Sequence, residues 1–369
     1  MKCHKIIVSA GGTGGHIIPA LNISKSLLKR GISVCYIGNK DSMEQTIIEK
    51  NGISFFAIDV QKLYRAWTMK HFLFPYKLLK AINQCTAYIY EQKPDAFIGF
   101  GGFVSGAPAL AAKKLKIPVY LQEQNAKPGI TNYFTGKFAD TAFLAYPESV
   151  RYFKKCTSII TGNPINIDMA NNLRDGNVRM PDRASVHSQG NKRVLILGGS
   201  QGSMFINKLI LKNIELFESE KIDIVWQTGR SHLQNIDSEL KKMEVKPQIS
   251  ITTFDFTDKI EDMYTTVDYV IARSGAMSLA EIESYRLPVF MIPLVTAAVN
   301  EQYHNAIWMQ NKEFGMMFEQ KDQELFPTRF KDFMAKASQM HQSKEPSRHL
   351  SATETIVDTL IQNIERKKG

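Results

Sequence analysis

Twice in this chain, a short apolar strand runs into a glycine-rich loop and then into a helix, and this repeat constrains the fold more than any other feature. The first copy has a strand at residues 5–10, the loop Gly11–Gly15 and a helix at 19–29, where Pro19 suits a first helical turn. The second copy has Gly198–Gly202 as its loop. A glycine turn between a strand and a helix is typical of doubly wound α/β sheets.

Further short strands occur in both halves of the chain, and helical stretches separate them. The predicted strands are 33–37, 96–100, 119–122 and 142–145 in the first half, and 193–197, 222–227, 249–253, 269–272 and 288–292 in the second. Strands that are apolar on both faces are typical of parallel sheets covered by helices on both sides. The sequence therefore predicts an α/β protein with two Rossmann-like doubly wound domains.

The 369 residues are enough for two or three domains. The polar stretch 168–192 lacks hydrophobic periodicity and is interpreted as a linker or surface excursion. We expect an N-terminal domain at 1–162, a C-terminal domain at 163–345, and a final helical segment at 346–369 that packs back on the first domain.

Charge is distributed unevenly between the two halves. Residues 1–162 carry 21 Lys and Arg against 9 Asp and Glu, whereas residues 163–369 carry 25 against 27. The first half is therefore expected to meet an anionic partner, although a basic surface without a partner is the alternative.

The four cysteines form no CxxC pair, which argues against a zinc site and a disulfide framework and favours free thiols in a reducing compartment. With no secretory signal or membrane-spanning segment predicted, a cytosolic location is expected.

The stretch from Val60 to Tyr90 contains no acidic residue. It carries Lys62, Arg65, Lys70, Lys77 and Lys80 interleaved with Trp67, Phe72, Leu73, Phe74, Tyr76, Leu78 and Leu79. Basic residues among aromatic ones suit an anionic membrane surface. Nucleic acid is the rival partner, and a core helix with a solvated basic face is the structural alternative.

The first glycine loop ends at His16 and is suited to an anionic ligand, because glycines allow backbone N–H groups to approach it at a helix N-terminus. The loop does not satisfy the GxGxxG fingerprint, and it contains no Walker lysine followed by Ser or Thr, so a nicotinamide enzyme and a P-loop ATPase are disfavoured. His16 is a candidate general base, with a structural hydrogen-bonding role as the alternative. Two such loops suggest two ligands that meet in a cleft between the domains.

Three other motifs follow predicted strands. Glu123 follows the strand 119–122 and is either a second acid/base group or a residue that fixes its loop. Glu281 lies in a predicted helix after Arg273, where a carboxylate can accept both hydroxyls of a ribose. The amide-rich stretch 300–306 suits a hydroxyl-rich ligand, because amide side chains both donate and accept.

Seven motifs in one order resemble the GT-B glycosyltransferases, and in particular the peptidoglycan N-acetylglucosaminyltransferases of glycosyltransferase family 28. They are GGTGGHIIPA, GFGGFVSGAPALAA, QEQNAKPGITN, TGNP, LGGSQGS, RSGAMSLAE and EQYHNA, and they extend from Gly11 to Ala306. The resemblance implies a GT-B fold, in which two Rossmann-like domains face each other across a cleft.

The resemblance also implies an activity. The donor would be UDP-N-acetylglucosamine, and the acceptor would be undecaprenyl-pyrophosphoryl-N-acetylmuramyl-pentapeptide. The C4 hydroxyl of the muramyl sugar would attack the anomeric carbon with inversion, releasing UDP. No metal, cofactor or nucleic acid is expected. The chain would bind the cytoplasmic side of the cell membrane peripherally, through residues 60–90.

Site residues follow from the resemblance position by position. His16 is the candidate base, and Glu123 is the second catalytic candidate. Pyrophosphate would be approached by Thr13, Gly14 and Gly15. The UDP phosphates would be approached by Ser200 and Gln201, and the uracil by Thr257. Glu281 would bind the ribose, while Asn125 and Gln302 would read the sugar. The remaining binding residues are Asn166, Ala276, Met277, Ser278, Leu279 and Ala280.

Four positions depart from the family pattern. Asn166 stands where the family usually has a diphosphate-binding Arg, and Gln122 where a His commonly precedes the Glu. Val299 stands near an often acidic position, and Glu301 where Gln or His is usual. The alternatives are therefore a related glycosyltransferase that uses another UDP-sugar or lipid, a non-catalytic nucleotide-sugar-binding scaffold, and a UDP-sugar epimerase of the same fold.

Overall fold

The computed structural model describes residues 4–60, 70–176, 190–199, 201–243, 248–257, 259–294, 300–340 and 346–367. The chain divides into two compact units, one made of Met1–Ala170 with Arg348–Gly369 and the other of Asn171–Ser347. Each unit contains one parallel sheet with helices packed on it.

The first unit contains a parallel sheet of seven strands in the order β3-β2-β1-β4-β5-β6-β7. They are β1 (Lys5–Ser9), β2 (Ser33–Asn39), β3 (Ser54–Ile58), β4 (Ala96–Gly99), β5 (Val119–Glu123), β6 (Thr141–Leu144) and β7 (Thr157–Ile160). Strand β1 pairs with β2 on one side and with β4 on the other, so the winding direction reverses between β1 and β4. Ligands of doubly wound sheets bind at the carboxyl ends of the strands at such a reversal.

Helices cover both faces of this sheet. They are α1 (Gly14–Lys29), α2 (Met43–Lys50), α3 (Lys70–Gln92), α4 (Gly106–Lys114), α5 (Ile130–Thr135) and the C-terminal α14 (His349–Arg366). Helix α6 (Ile167–Arg174) contains the boundary between the two units. On one face, Leu21, Ile23 and Leu27 of α1 share a buried cluster with Ile356 and Leu360 of α14. The opposite face carries a second cluster, built from α3, α4 and the sheet. The C-terminal helix is therefore part of the first unit's core.

The second unit repeats this architecture with six parallel strands in the order β10-β9-β8-β11-β12-β13. The strands are β8 (Lys192–Leu197), β9 (Ile222–Gln227), β10 (Ile251–Phe254), β11 (Tyr269–Ala272), β12 (Val289–Met291) and β13 (Gly315–Met317). The helices are α7 (Met204–Lys212), α8 (Ile214–Ser219), α9 (Leu233–Lys241), α10 (Ile260–Tyr264), α11 (Ala276–Ser284), α12 (Glu301–Asn311) and α13 (Phe326–Ala337). Its winding direction reverses between β8 and β11.

The sequence-based prediction of two doubly wound sheets is confirmed, but some element boundaries were wrong. Helix α1 begins at Gly14, so Pro19 lies inside it and not in its first turn. The interior proline is tolerated because α1 loses only the bond from its missing N–H to the Gly15 carbonyl. Residues 167–174 form helix α6, whereas the sequence analysis interpreted 168–192 as a linker.

No helix among the described residues is both long enough and apolar enough to span a membrane. The functional domains 1–162, 163–345 and 346–369 stay predictions. The stretch 177–189 lies outside the described residues.

Candidate active site

Two glycine loops follow the strands that flank the reversal point of the first unit. The loop Gly11–Gly15 follows β1, and Gly101 and Gly102 follow β4. Gly102 has φ +76°, and a Cβ added there would lie 2.0 Å from the Gly11 carbonyl oxygen. Only glycine permits this approach, so the backbones of Gly11 and Gly102 bring the two loops into close contact.

His16 is half-buried in the first turn of α1, beside both loops. Its Nδ1 lies 3.1 Å from Oγ1 of Thr13, and its Cδ2 edge faces Gly101, where an added Cβ would lie 3.1 Å from that carbon. Burial lowers the pKa of His16 to about 4. The imidazole is therefore neutral near pH 7 and can accept a proton, which a general base must do.

Glu123 ends β5 and is 1% exposed. Its carboxylate accepts four hydrogen bonds, from the backbone and side-chain amides of Asn125, the backbone N–H of Gly129 and the side chain of Asn132. A carboxylate that is fully engaged in this way fixes the loop from 123 to 129. The geometry favours the orienting role over the acid/base role, which stays a prediction.

A buried amide network lies beneath these loops, and the sequence analysis did not identify it. Gln122 donates to the side chain of Asn163 over 3.1 Å, and Asn163 donates to the carbonyl of Gln124 over 3.1 Å. The backbone N–H of Asn163 donates to Nδ1 of His349 in α14 over 2.7 Å. The TGNP motif was the available signal, but its partner is 186 residues away in sequence.

Asn166 and Asn125 bind backbone or carboxylate groups of their own loops. The side-chain oxygen of Asn166 accepts from the backbone N–H of Asp168 over 2.9 Å, which caps the start of α6. Asn125 is half-buried and oriented by Glu123. Asn166 is exposed, so it is accessible to a ligand in addition to its capping bond.

Part of the basic aromatic stretch lies within the described residues. On α3, Tyr76 is 67% exposed and Leu79 is 62% exposed. On α5, Ile130 and Phe134 are each 55% exposed, and Nζ of Lys137 lies 4.5 Å from the centre of the Phe134 ring. The residues Lys62, Arg65 and Trp67 lie outside the described residues, as do the side chains of 70–74.

The reversal point of the second unit is constructed differently. The loop after β8 leads to Ser203, whose hydroxyl accepts from the Ile206 N–H and so caps α7. Arg273 follows β11 and donates to the same Ser203 hydroxyl over 2.7 Å. A side chain therefore connects the two loops here, whereas backbone contact connects them in the first unit.

Arg273 is 8% exposed and also donates to the carbonyls of Ile292 and Pro293. All its hydrogen-bond acceptors among the described residues are uncharged. Burial lowers the pKa of Arg273 to about 10, so it remains a cation near pH 7. A buried cation of this kind favours an anion nearby. The motif that contains Arg273 predicted no role for this residue.

Helix α11 begins immediately after this arginine. The hydroxyl of Ser274, 0% exposed, has no hydrogen-bond partner among the described residues. Within α11, Ala276, Met277, Leu279 and Ala280 are buried and Ser278 is half-buried, so the residues of this run offer mainly their backbone to a ligand. A helix N-terminus, with the positive end of its dipole, suits phosphate oxygens.

Glu281 lies one turn further along α11 and accepts a hydrogen bond from the Tyr264 hydroxyl over 3.2 Å. Burial raises the pKa of Glu281 to about 7, and the Tyr264 bond opposes this shift. The side chain is therefore poised between its charged and neutral forms near neutral pH.

The remaining predicted ligands of the second unit have their own local bonds. Gln302 accepts the Leu294 N–H through Oε1 over 2.9 Å, and its NH₂ group has no hydrogen-bond partner among the described residues. The Thr257 hydroxyl accepts from the Lys259 N–H, and Gln201 is exposed on its loop. Ser200 and Val299 lie outside the described residues.

Within each unit, the structure places predicted residues together at one edge of a sheet. In the first unit these are Thr13, Gly14, Gly15, His16, Glu123 and Asn125, which follow β1 and β5. In the second unit they are Gln201, the run 276–281 and Gln302. The cleft between the two domains stays a prediction. No cluster of metal-ligating side chains occurs in the part of the chain that the structure describes.

Two family descriptions match this chain. The glycosyltransferase family 28 N-terminal domain matches residues 6–144, and the glycosyltransferase family 28 C-terminal domain matches residues 193–360. Together they span most of both units.

Relatives and solved structures agree with these matches. A UDP-N-acetylglucosamine--N-acetylmuramyl-(pentapeptide) pyrophosphoryl-undecaprenol N-acetylglucosamine transferase of Flavobacterium psychrophilum is 34% identical over 100% of both chains. A protein of the same name from Parabacteroides distasonis is 30% identical, again over 100% of both chains. The crystal structure of Acinetobacter baumannii MurG has a TM-score of 0.76 at 24% identity, covering 97% of this chain and 99% of that one. At that identity it supports the GT-B fold alone.

Proposed function

Since this chain belongs to glycosyltransferase family 28, we propose that it transfers N-acetylglucosamine from UDP-N-acetylglucosamine to undecaprenyl-pyrophosphoryl-N-acetylmuramyl-pentapeptide. The observation that carries this proposal is the Flavobacterium relative of that name, 34% identical over the full length of both chains. The C4 hydroxyl of the muramyl sugar attacks the anomeric carbon of the donor, the bond from that carbon to the UDP oxygen breaks, and the configuration inverts.

In this reaction His16 accepts the proton of the attacking hydroxyl. Its low pKa of about 4 keeps the ring neutral, and Nδ1 is already engaged by Thr13, so Nε2 is the available base. Glu123 serves as a positioning residue, because its four hydrogen bonds hold Asn125 and the loop that leads into α5. Thr13, Gly14 and Gly15 would bind the acceptor pyrophosphate through the start of α1.

The second unit would hold the donor and stabilise the departing UDP. The loop 198–202, including Ser200 and Gln201, and the start of α11 provide backbone N–H groups for the two phosphates, and the buried cation of Arg273 lies beside that loop. Glu281 accepts the ribose hydroxyls, and Gln302 donates to the sugar through its free NH₂ group. Thr257 contacts the uracil through its backbone.

The exposed apolar side chains of the first unit support a peripheral attachment to the cytoplasmic side of an anionic membrane. Tyr76 and Leu79 lie three residues apart on α3 and share one helical face with Lys80. An amphipathic face of aromatic, aliphatic and basic residues binds at the lipid interface without spanning it. This surface would bring the lipid-linked acceptor to the first glycine loop.

The deciding experiment measures transfer of labelled sugar from UDP-N-acetylglucosamine to a short-chain lipid-linked muramyl-pentapeptide. We expect a labelled disaccharide product and equimolar UDP. UDP-glucose and UDP-N-acetylgalactosamine replace the donor in parallel, and one reaction omits the acceptor. Product from another donor alone would overturn the donor assignment. Conversion of the donor to an epimer without acceptor would identify an epimerase, and binding without product would identify a scaffold.

Membrane attachment is tested by sedimentation with vesicles that contain phosphatidylglycerol, with neutral phosphatidylcholine vesicles for comparison. Tyr76→Ser with Leu79→Ser should weaken binding to the anionic vesicles several-fold. Leu325→Ser is the matched control, because Leu325 is 56% exposed in the second unit. Equal losses for both variants, or no loss for either, would contradict the role of the α3 face.

A further inference from the structure

Thr13 occupies the N-cap position of α1, yet its hydroxyl makes no capping bond. Threonine is favoured at this position because its side-chain oxygen accepts a backbone N–H of the first turn. Ser42 before α2 and Ser203 before α7 do this, accepting from Gln45 and Ile206 respectively. The Thr13 oxygen instead lies 3.1 Å from Nδ1 of His16, so a feature other than helix capping accounts for its position.

The described residues offer different surroundings to the two ring nitrogens of His16. Nδ1 has the Thr13 hydroxyl, whereas Nε2 has no hydrogen-bond partner among those residues. A proton on Nδ1 therefore has a protein acceptor, and a proton on Nε2 has none. Thr13 is exposed, so its own hydroxyl proton can go to water while its oxygen accepts from the ring.

The other side of the ring is confined as well. Gly101 has φ +89°, and an added Cβ there would lie 3.1 Å from Cδ2 of His16 and 3.2 Å from Nδ2 of Asn132. The ring thus lies between a hydroxyl on its Nδ1 side and backbone on its Cδ2 side. Rotation of the ring by 180° would exchange Nδ1 with Cδ2 and break the contact with Thr13, so the Thr13 hydroxyl favours the observed orientation of the ring.

We propose that Thr13 is a positioning residue that holds the proton of His16 on Nδ1 and leaves the Nε2 lone pair for the acceptor hydroxyl. The hydrogen bond at one ring nitrogen determines which nitrogen carries the proton. A neutral histidine in water prefers its proton on Nε2, which is the form that cannot act as a base through that atom. Thr13 reverses this preference. The catalytic consequence rests on the proposed function, whereas the position of the proton does not.

The test combines nitrogen NMR of histidine-labelled protein at pH 8 with steady-state kinetics. In the wild type we expect the Nδ1 resonance of His16 to be of the protonated kind and the Nε2 resonance of the unprotonated kind. Thr13→Val keeps the shape of the side chain and removes the hydroxyl, so the proton should move to Nε2. Thr13→Ser should restore the wild-type spectrum. His16→Ala assigns the resonances.

In the kinetic arm, Thr13→Val should lower kcat roughly tenfold, with the KM for UDP-N-acetylglucosamine unchanged, and Thr13→Ser should recover most of the loss. The melting temperature should not change, because the hydroxyl does not cap α1. Ser42→Ala is the matched control, and it should lower the melting temperature without affecting kcat.

A wild-type proton on Nε2 would overturn this inference, and so would an unchanged spectrum in Thr13→Val. Equal kcat in Thr13→Val and the wild type would overturn its catalytic part. If the predicted spectra are found in a protein that transfers no sugar, they support the position of the proton, and the proposed function fails. Active transfer with the proton on Nε2 would leave the proposed function intact and remove the role of Thr13.

Discussion

The two units share one topology but differ in what lies between the two loops at the reversal point. In the first unit the loops touch through glycine backbone, Gly102 against Gly11, and a neutral imidazole stands beside them. In the second unit the side chain of Arg273 bridges the loops to Ser203 and brings a buried positive charge. The same sheet design can thus support proton transfer in one unit and anion binding in the other.

The largest expected effect comes from the imidazole of the first unit. His16→Ala should lower kcat by about 10²–10⁴ while the affinity for UDP stays nearly unchanged, because the proposed base belongs to the first unit and the proposed nucleotide site to the second. Turnover assays and calorimetric titration with UDP measure the two quantities. Full activity in the variant would remove His16 as the base. A parallel loss of UDP affinity would break the division of roles between the units.

Removing the buried charge of the second unit should have the converse effect. Arg273→Met should weaken UDP binding by about 10- to 100-fold, because the cation beside the phosphate loop is lost. Calorimetric titration measures this affinity, and the melting temperature of the free protein is recorded alongside. Lys312→Met, on an exposed lysine of the same unit, is the control for a general charge effect. Unchanged UDP affinity in Arg273→Met would show that its role is only to connect the loops.

Because the pKa of Glu281 is about 7, the affinity of the second unit for its proposed nucleotide ligand should depend on pH near neutrality. In the proposed site the carboxylate, and not the protonated acid, accepts both ribose hydroxyls, so affinity should fall as pH falls through 7. Between pH 8 and pH 6 the loss should be about tenfold, since the ionised fraction changes by that factor. UDP-N-acetylglucosamine is the suitable ligand, because its diphosphate is a diester and does not titrate in this range.

Two variants test whether Glu281 causes this pH dependence. Glu281→Gln should bind weakly and equally at both pH values. Tyr264→Phe removes the bond that opposes the raised pKa, so the midpoint should move above 7. A pH dependence that persists in Glu281→Gln would assign the titration to another group.

Burial of Glu281 also affects stability, with a sign that follows from its raised pKa. The native state prefers the protonated acid, so the stability present below the unfolded pKa of about 4.5 is lost as pH rises through 7. Glu281→Gln should therefore melt above the wild type at pH 8, and the difference should shrink toward pH 5. Thermal unfolding at the two pH values measures this. A difference that does not depend on pH would contradict it.

The smallest effect concerns Asn166, the position where the family usually has Arg. Asn166→Ala should lower the free energy of unfolding by about 1 kcal/mol, because α6 loses its cap. Asn166→Asp keeps a capping oxygen and should restore stability. If the side chain of Asn166 serves only as the cap of α6, both variants will bind UDP-N-acetylglucosamine like the wild type. Weaker binding with unchanged stability would assign Asn166 to the donor site instead.

Sequence patterns identified the central strands and the edge strand β10, but not the edge strands β3, β7 and β13. Central strands such as β1 and β4 are buried on both faces and are continuous apolar runs. The edge strands β3 and β7 are partly exposed, and β13 has only three residues, so none has a distinct hydrophobic pattern. Tertiary pairing forms these strands, which is why the sequence analysis missed them.

The sequence by itself determined the two glycine loops, the parallel sheets that they imply and the family of the chain. These properties depend on residue type and local order, which short motifs record. Only the tertiary structure decided what each site residue contacts. Glu123 meets Asn132, Asn163 meets His349, and Arg273 meets Ser203 across 70 residues. The proposed roles of Glu123 as an orienting group and of His16 as a base depend on such partners, which no local sequence pattern records.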